Sequence, residues 1–354
     1  MATQVSVVAS SILLIADPGL PTAIAERLSV SLPDALTSPA EGQWDVSVRR
    51  GAYPVDEHAD VVEVIRTVDP ASEIEDIVIY LTDLPRRLGT TPVLADISLD
   101  NRFGLISIPG VGGLFTDRRM RRLVETVVGE VTGQPRTQSH SVKRLTRTQE
   151  DDDVVRYIAP TALSRLRLLM GMVYANRPWR LAAGMSKVMM AAFATGAVSL
   201  AYPTMWQLSA TMGPWRLSAA TVLASVAMIA WLILDHKLWE RPQSAGERER
   251  AVLYNAATVV TLTIGVAILH IGLFILLLLT AWWTLPPQMG ADNIGHPVGL
   301  STLLMMAWLV AAVATLGGAL GSGMEDDDAV KAAAYGVRQR RRFGKSNRGA
   351  TLQR

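Results

Sequence analysis

The sequence predicts an α/β domain with a mixed sheet, placed in the cytoplasm, followed by an all-α transmembrane domain of four helices. Three observations predict it. Four long apolar stretches are confined to the second half of the 354-residue chain. The first third is acidic and alternates short extended runs with helical ones. Arginines gather at every second connection between the apolar stretches.

Residues 1–132 hold 19 acidic and 11 basic side chains, a formal net of −8, and have the size of one ordinary folded domain. The apolar N-terminus lacks a cationic start and is broken by Asp17, so it reads as the first strand of that domain rather than a signal peptide. Residues 12–16 form a continuous apolar strand and 21–29 a helix; Trp44, Val46 and Val48 alternate as a half-buried strand. Val61, Val62, Val64 and Ile65 give one face of a second helix, and 76–82 is a third strand. Residues 93–99 and 103–108 flank Asp100 and Asn101, a turn pair, and read as a hairpin. Leu123, Val124, Val127, Val128 and Val131 mark the buried stripe of a closing helix with Thr116 as its cap. The expected order is βαβαβββα.

Residues 133–159 are polar, lack apolar periodicity and end in the acidic run from Glu150 to Asp153, so they read as a linker. In 160–180, Leu163, Leu166, Met170 and Val173 recur at helical spacing among arginines, the pattern of a helix lying on anionic inner-leaflet lipids. Residues 181–322 hold the four predicted spans, 188–206, 217–234, 256–285 and 298–320, each near the roughly 20 residues that cross about 30 Å of hydrocarbon. Trp206, Trp282 and Trp283 stand at their ends like an aromatic belt. Arg165, Arg167, Arg177 and Arg180 precede the first span, and Lys237, Arg241, Arg248 and Arg250 separate the second from the third. Further basic residues, Arg338 to Arg342 among them, follow the fourth. The connections around 207–216 and 286–297 contain only Arg216, so both termini are expected in the cytoplasm of a plasma-membrane protein. The charged tail, 323–354, turns from acidic to basic and reads as solvated.

With no cysteine, the chain offers no disulfide, zinc-thiolate site or thiol nucleophile. No motif implies a cofactor or a metal ion. No aromatic platform accompanies the arginines, which argues against nucleic acid as a partner. No solenoid repeat is visible.

Gly110, Gly112 and Gly113 lie between a strand and a helix, where glycines let backbone amides approach a phosphate. The dinucleotide fingerprint asks for glycine at position 115, which is Phe115, and the Lys-Ser/Thr ending of a P-loop is missing. A strand-to-helix turn without a ligand competes with this reading. Asp83 and Asp96, at strand ends or within strands, are candidates for paired carboxylates that do acid/base work or hold magnesium. Solvated turn carboxylates are the competing reading. His58, among acidic neighbours, reads as an exposed helix-start residue. His270 is the strongly polar side chain near the middle of a span, either an interhelical hydrogen-bond partner or a proton or ligand carrier, with packing favoured. Gly317 and Gly321, with Gly318 between them, form a small-xxx-small step for helix packing inside the bundle, and a homo-oligomer is compatible with it.

The strand from Ile77 to Asp83, with the hairpin and closing helix after it, faintly resembles the sheet of archaemetzincin-like metalloproteases. That resemblance implies a related fold without zinc proteolysis, because residues 123–133, where the family carries HExxHxxGxxH, contain no histidine. The run from Arg165 to Leu181 with the spans after it is similar to a group of uncharacterised actinobacterial multi-pass membrane proteins, a resemblance that implies no activity.

The leading functional reading is non-enzymatic: an acidic α/β domain anchored at the inner leaflet, binding a ligand or an unidentified cytoplasmic protein partner as a scaffold or regulator. The first alternative is a membrane-bound enzyme that takes a phosphate-bearing or nucleotide ligand at the 110–113 turn. The second is a small transporter or channel subunit resting on His270.

Overall fold

The computed structural model describes residues 10–37, 43–54, 59–89, 91–133, 145–149, 153–160, 163–180, 185–242 and 247–322. They divide into two compact units that meet in sequence between Ala175 and Asn176. His58 and the 323–354 tail lie outside the described residues.

The first unit begins β1 (Ser10–Ala16), α1 (Leu20–Leu36), β2 (Trp44–Arg50), α2 (Val61–Val68), a 3-10 turn (Pro70–Ser72) and β3 (Ile77–Thr82). It continues β4 (Arg87–Leu88), β5 (Thr91–Ser98), β6 (Phe103–Ser107), α3 (Ile108–Val111), α4 (Thr116–Thr132), β7 (Thr146–Gln149), β8 (Val154–Ile158) and α5 (Ser164–Asn176). The strands form one open mixed sheet in the order β2-β1-β3-β6-β5-β8-β7, with β4 beside β5. β2, β1, β3 and β6 are parallel, whereas β5, β8 and β7 add on antiparallel.

β1 from Ile12 to Ala16 and β3 from Ile77 to Leu81 carry no charged residue and are buried throughout because both faces of the parallel half are covered. Ile12, Leu14, Ile77 and Ile79 pack under α1 and α4, and Leu13, Ile15, Val78 and Tyr80 pack under α2. The mixed α/β domain is therefore a three-layer structure, and the expected 93–99/103–108 hairpin is present as β5–β6.

The 133–159 segment is more than a linker. β8 pairs with β5 and buries Val154, Val155 and Tyr157, and β7, all of it exposed, pairs with β8 as the sheet edge. The five residues of β8 are interrupted by Arg156 and flanked by acids and polar residues, so no amphipathic period rises above them. A four-residue polar edge strand also discourages further pairing. Thr116 does not cap α4. It is the helix's first residue, and its hydroxyl donates to Gly112 O at 3.0 Å, while Phe115 takes the cap position.

The 160–180 helix is shorter than expected, Ser164–Asn176, and packs on its own domain through Leu168, Gly171, Met172 and Val173. Leu163, Leu166 and Met170, three of the four residues of the predicted stripe, form an exposed apolar face, whereas the fourth, Val173, is buried.

The second unit comprises α6 (Ser186–Leu200), α7 (Pro203–Thr211), α8 (Pro214–Asp235), α9 (Arg248–Thr284), α10 (Pro287–Ile294) and α11 (Leu300–Ser322). α8, α9 and α11 are each long and apolar enough to cross a bilayer. The expected 188–206 span is not one straight helix: α6 and α7 meet at a bend of 87° and count as a fourth span only as a broken pair. Pro203 carries no N–H for the ladder and stops α6. The indole of Trp206 donates to Leu200 O at 2.8 Å, so the carbonyl freed at the bend stays satisfied. At 15 residues α6 rises about 22 Å, less than the hydrocarbon thickness. α9, by contrast, begins eight residues before the expected span and rises about 55 Å over its 37 residues, so its first turns stand outside the hydrocarbon. α11 is the central helix, with 56% of its most apolar stretch buried against 22% for α8.

Candidate functional site

In an open α/β sheet the natural ligand crevice lies beyond the carboxyl ends of the parallel strands, where the strand order reverses. Here the chain leaves β1 toward β2 and returns past β1 to β3, so that crevice lies between the ends of β1 and β3. Asp17, the residue after β1, is fully buried there. Tyr80 Oη donates to Asp17 Oδ1 at 2.8 Å and Thr82 Oγ1 to Oδ2 at 2.7 Å. Thr82 Oγ1 in turn accepts from Leu84 N, and Thr22 Oγ1 donates to the Asp17 carbonyl. A buried carboxylate needs such donors. Asp17 therefore ties β1, β3 and the start of α1 into one rigid end of the sheet. Its sequence signal was an aspartate closing a wholly apolar strand just before Pro-Gly.

Asp83 and Asp96 are not a pair. Asp83 follows β3 and Asp96 lies in β5, with β6 between those strands. Two strand spacings put them about 10 Å apart in the sheet direction alone. Asp96 is fully buried between two guanidiniums, Arg86 Nε at 3.0 Å from Oδ2 and Arg156 Nε on Oδ1. It is a structural counter-ion, and its partners come from the β3–β5 connection and from β8.

The glycine turn is brought together with a group the sequence did not single out. A Cβ on Gly110 would lie 2.7 Å from Val93 O, and one on Gly113 2.7 Å from Met170 O. These two glycines let α3 press against β5 and let α5 press against the turn; they are needed for backbone packing. Gly112 differs. Its φ of +93° is a conformation for which glycine is suited, and a Cβ there would meet Arg167 Cγ at 3.2 Å and Arg119 Nη1 at 3.4 Å. Arg167 Nε donates to Gly110 O at 3.0 Å and Arg119 Nη1 to Val111 O at 3.2 Å.

No carboxylate pairs with either arginine among the described residues. The nearest in sequence, Asp117, is held by Arg27 at 2.7 Å. Burial, and after it the neighbouring charge of Arg119, pulls the Arg167 guanidinium down to about 10. Next to this pair, Leu114 and Phe115 are 64% and 78% exposed, and Phe115 has a φ of 52° in the left-handed region.

Within the helical unit, His270 Nδ1 lies 2.9 Å from Thr315 Oγ1, joining α9 to α11. The Thr315 hydroxyl donates its one proton to Ala311 O. The imidazole must therefore donate from Nδ1, which is the interhelical hydrogen bond that the packing reading expects. Gly317 faces Thr195 of α6, with a Cβ there falling 2.7 Å from Thr195 Cβ, and Gly318 faces Ala192. The side-chain surroundings of Gly321 lie outside the described residues. Gly196, not singled out in the sequence, is the third close contact, against Leu277 and Ala314.

Comparison of the chain with protein-family models, with curated proteins and with solved structures returned no match.

Proposed function

We propose that this chain is a multi-pass plasma-membrane protein that carries an α/β binding domain on the cytoplasmic side. In this reading it acts as a scaffold or regulator rather than an enzyme. The working end is the carboxyl edge of the parallel strands, where the β6–α4 connection presents Leu114 and Phe115.

The observation that carries this reading is Phe115. A bulky side chain held at positive φ and left largely in water is strained and poorly placed for stability alone, and such outliers cluster where proteins bind. The anionic inner leaflet is the second partner, supported by Arg165, Arg177 and Arg180 before the first span and by the exposed Leu163, Leu166 and Met170 stripe.

A photo-crosslinking side chain placed at position 115 in intact cells tests the binding end. The matched control is Ile74, 98% exposed just before β3 at the opposite, amino-terminal edge of the strands. Position 115 is expected to give a discrete adduct whose yield falls when unmodified chain is co-expressed. Equal adducts at both positions, or none at 115, would overturn the assignment.

A further inference from the structure

We infer that Arg119, Arg167 and Gly112 form a site for a phosphate group, carried by a soluble phosphate ester or by a lipid headgroup. The inference rests on the proposed binding end and names the chemistry it takes.

Two guanidiniums from different elements, α4 and α5, converge on one glycine, and each spends one N–H on a backbone carbonyl of the turn. Arginine has five N–H groups, so most of the donors at this point remain available. Two like charges held together without a carboxylate repel each other, and half-burial strengthens the repulsion. An anion between them reverses its sign. Arginine forks match phosphate oxygens with paired hydrogen bonds, which a single ammonium cannot do.

Gly112 supplies the space. A methyl group there would press on both arginines, so the absence of a Cβ leaves the approach to them open. Asp117, the carboxylate nearest to Arg119 in sequence, is held by Arg27 through two hydrogen bonds at 2.7 and 3.0 Å. The other arginines of α4 differ: half-buried Arg121 lies 3.5 Å from Glu125, and Arg118 is exposed to solvent.

Phenylglyoxal labelling of the full chain in nanodiscs, read residue by residue by mass spectrometry, tests the site, because the reagent attacks the deprotonated guanidine. In one arm the nanodiscs are phosphatidylcholine alone and sodium pyrophosphate is titrated; in the other they contain phosphatidylglycerol and the buffer holds no phosphate. Labelling of Arg119 and Arg167 should slow together, about tenfold at ten times the dissociation constant. Arg118, the exposed control, should keep its rate.

The arm that responds identifies the source as soluble ester or lipid. Arg119→Gln should abolish the protection of Arg167; if that variant does not fold, the wild-type pattern carries the test alone. Protection in neither arm, or equal slowing at Arg118, overturns the phosphate site. A position-115 adduct without arginine protection removes the phosphate and keeps the binding end, and protection without an adduct does the reverse.

Discussion

At the scale of single residues, the strongest electrostatic commitment is the Asp96 carboxylate between Arg86 and Arg156, with side-chain exposures of 0, 8 and 10%. Removing the shared partner takes the carboxylate from between two buried guanidiniums. Asp96→Ala is therefore expected to lower stability by about 3–5 kcal/mol. Asp96→Asn should cost a similar amount, since it keeps the shape and loses the charge. Thermal melting followed by near-ultraviolet circular dichroism checks this, and a melt within about 1 kcal/mol of wild type would return Asp96 to the pool of functional carboxylates. Nothing near Asp96 in sequence announces this role: its partners are 10 and 60 residues away. The same limit hid Arg119 and Arg167. A string of arginines in α4 and α5 reads alike in the sequence, and tertiary contacts such as that of Asp117 with Arg27, 90 residues apart, decide which of them meet a carboxylate among the described residues. His270 was legible because a lone polar group in an apolar span stands out, whatever it contacts.

At the scale of elements, the β7–β8 hairpin is fastened to α4 by Glu130. Its carboxylate accepts from Tyr157 Oη at 2.6 Å and from Arg147 at 3.0 and 3.1 Å. Burial pushes the Glu130 pKa up, but the hydrogen bonds from Arg147 and Tyr157 outweigh it and hold the pKa below its ordinary 4.5. A carboxylate lowered on folding stabilises the native state above its unfolded pKa and loses that contribution as pH falls through the folded value. Tyr157 is shifted the other way, upward from 10.0, first by burial and then by its bond to Glu130. Its contribution is complete below that value and is lost as pH rises toward the folded pKa. The hairpin should therefore be firmest between about pH 5 and 10. Protection of the Val155 and Tyr157 amides, taken relative to their intrinsic exchange rate at each pH, is expected to fall as pH drops below the ordinary Glu130 value of 4.5, and Glu130→Gln should remove that acid limb while leaving the alkaline one. An unchanged acid limb in the variant would assign it to another carboxylate. These two strands are also the part of the fold that the sequence hid. α4 showed itself by a stripe at the helical period, whereas β7 is all polar and β8 too short for alternation to register. At α6 and α7 the composition read through the break, because residues 188–206 are apolar on both sides of Pro203. Hydropathy records what is buried, and the 87° bend depends on one missing N–H.

At the scale of the whole molecule, that bend decides how many times the chain crosses. If the α6–α7 pair spans, four crossings put both ends of the chain on one side. If it folds back, only α8, α9 and α11 cross and the ends fall on opposite sides. The charges separate these cases. With four crossings, Arg165 to Arg180, the Lys237 to Arg250 connection and the basic tail all share a side, and the far side holds only Arg216. With three, the cluster before α6 and the one between α8 and α9 are split across the bilayer, against the retention of cationic flanks. The connections around 207–216 and 286–297 share a side in either case: Gln207 Nε2 of α7 donates to Asn293 O of α10 at 3.2 Å, and Trp215, Trp282 and Trp283 are exposed at the adjoining helix ends. Interfacial tryptophans and short polar helices fit one water-facing rim there. Compartment reporters inserted at Gly213, Ser244 and Asn293 and fused to the C-terminus, each in the full chain, test the parity. Ser244 and the C-terminus are expected to report cytoplasm, and Gly213 and Asn293 the outside. The decisive comparison is a reporter at the N-terminus, before β1, where no strand of the sheet is interrupted. It should agree with Ser244 and the C-terminus. Disagreement with both would mean that α6 and α7 form a re-entrant hairpin, that the chain crosses three times, and that the α/β domain lies on the side opposite the basic tail.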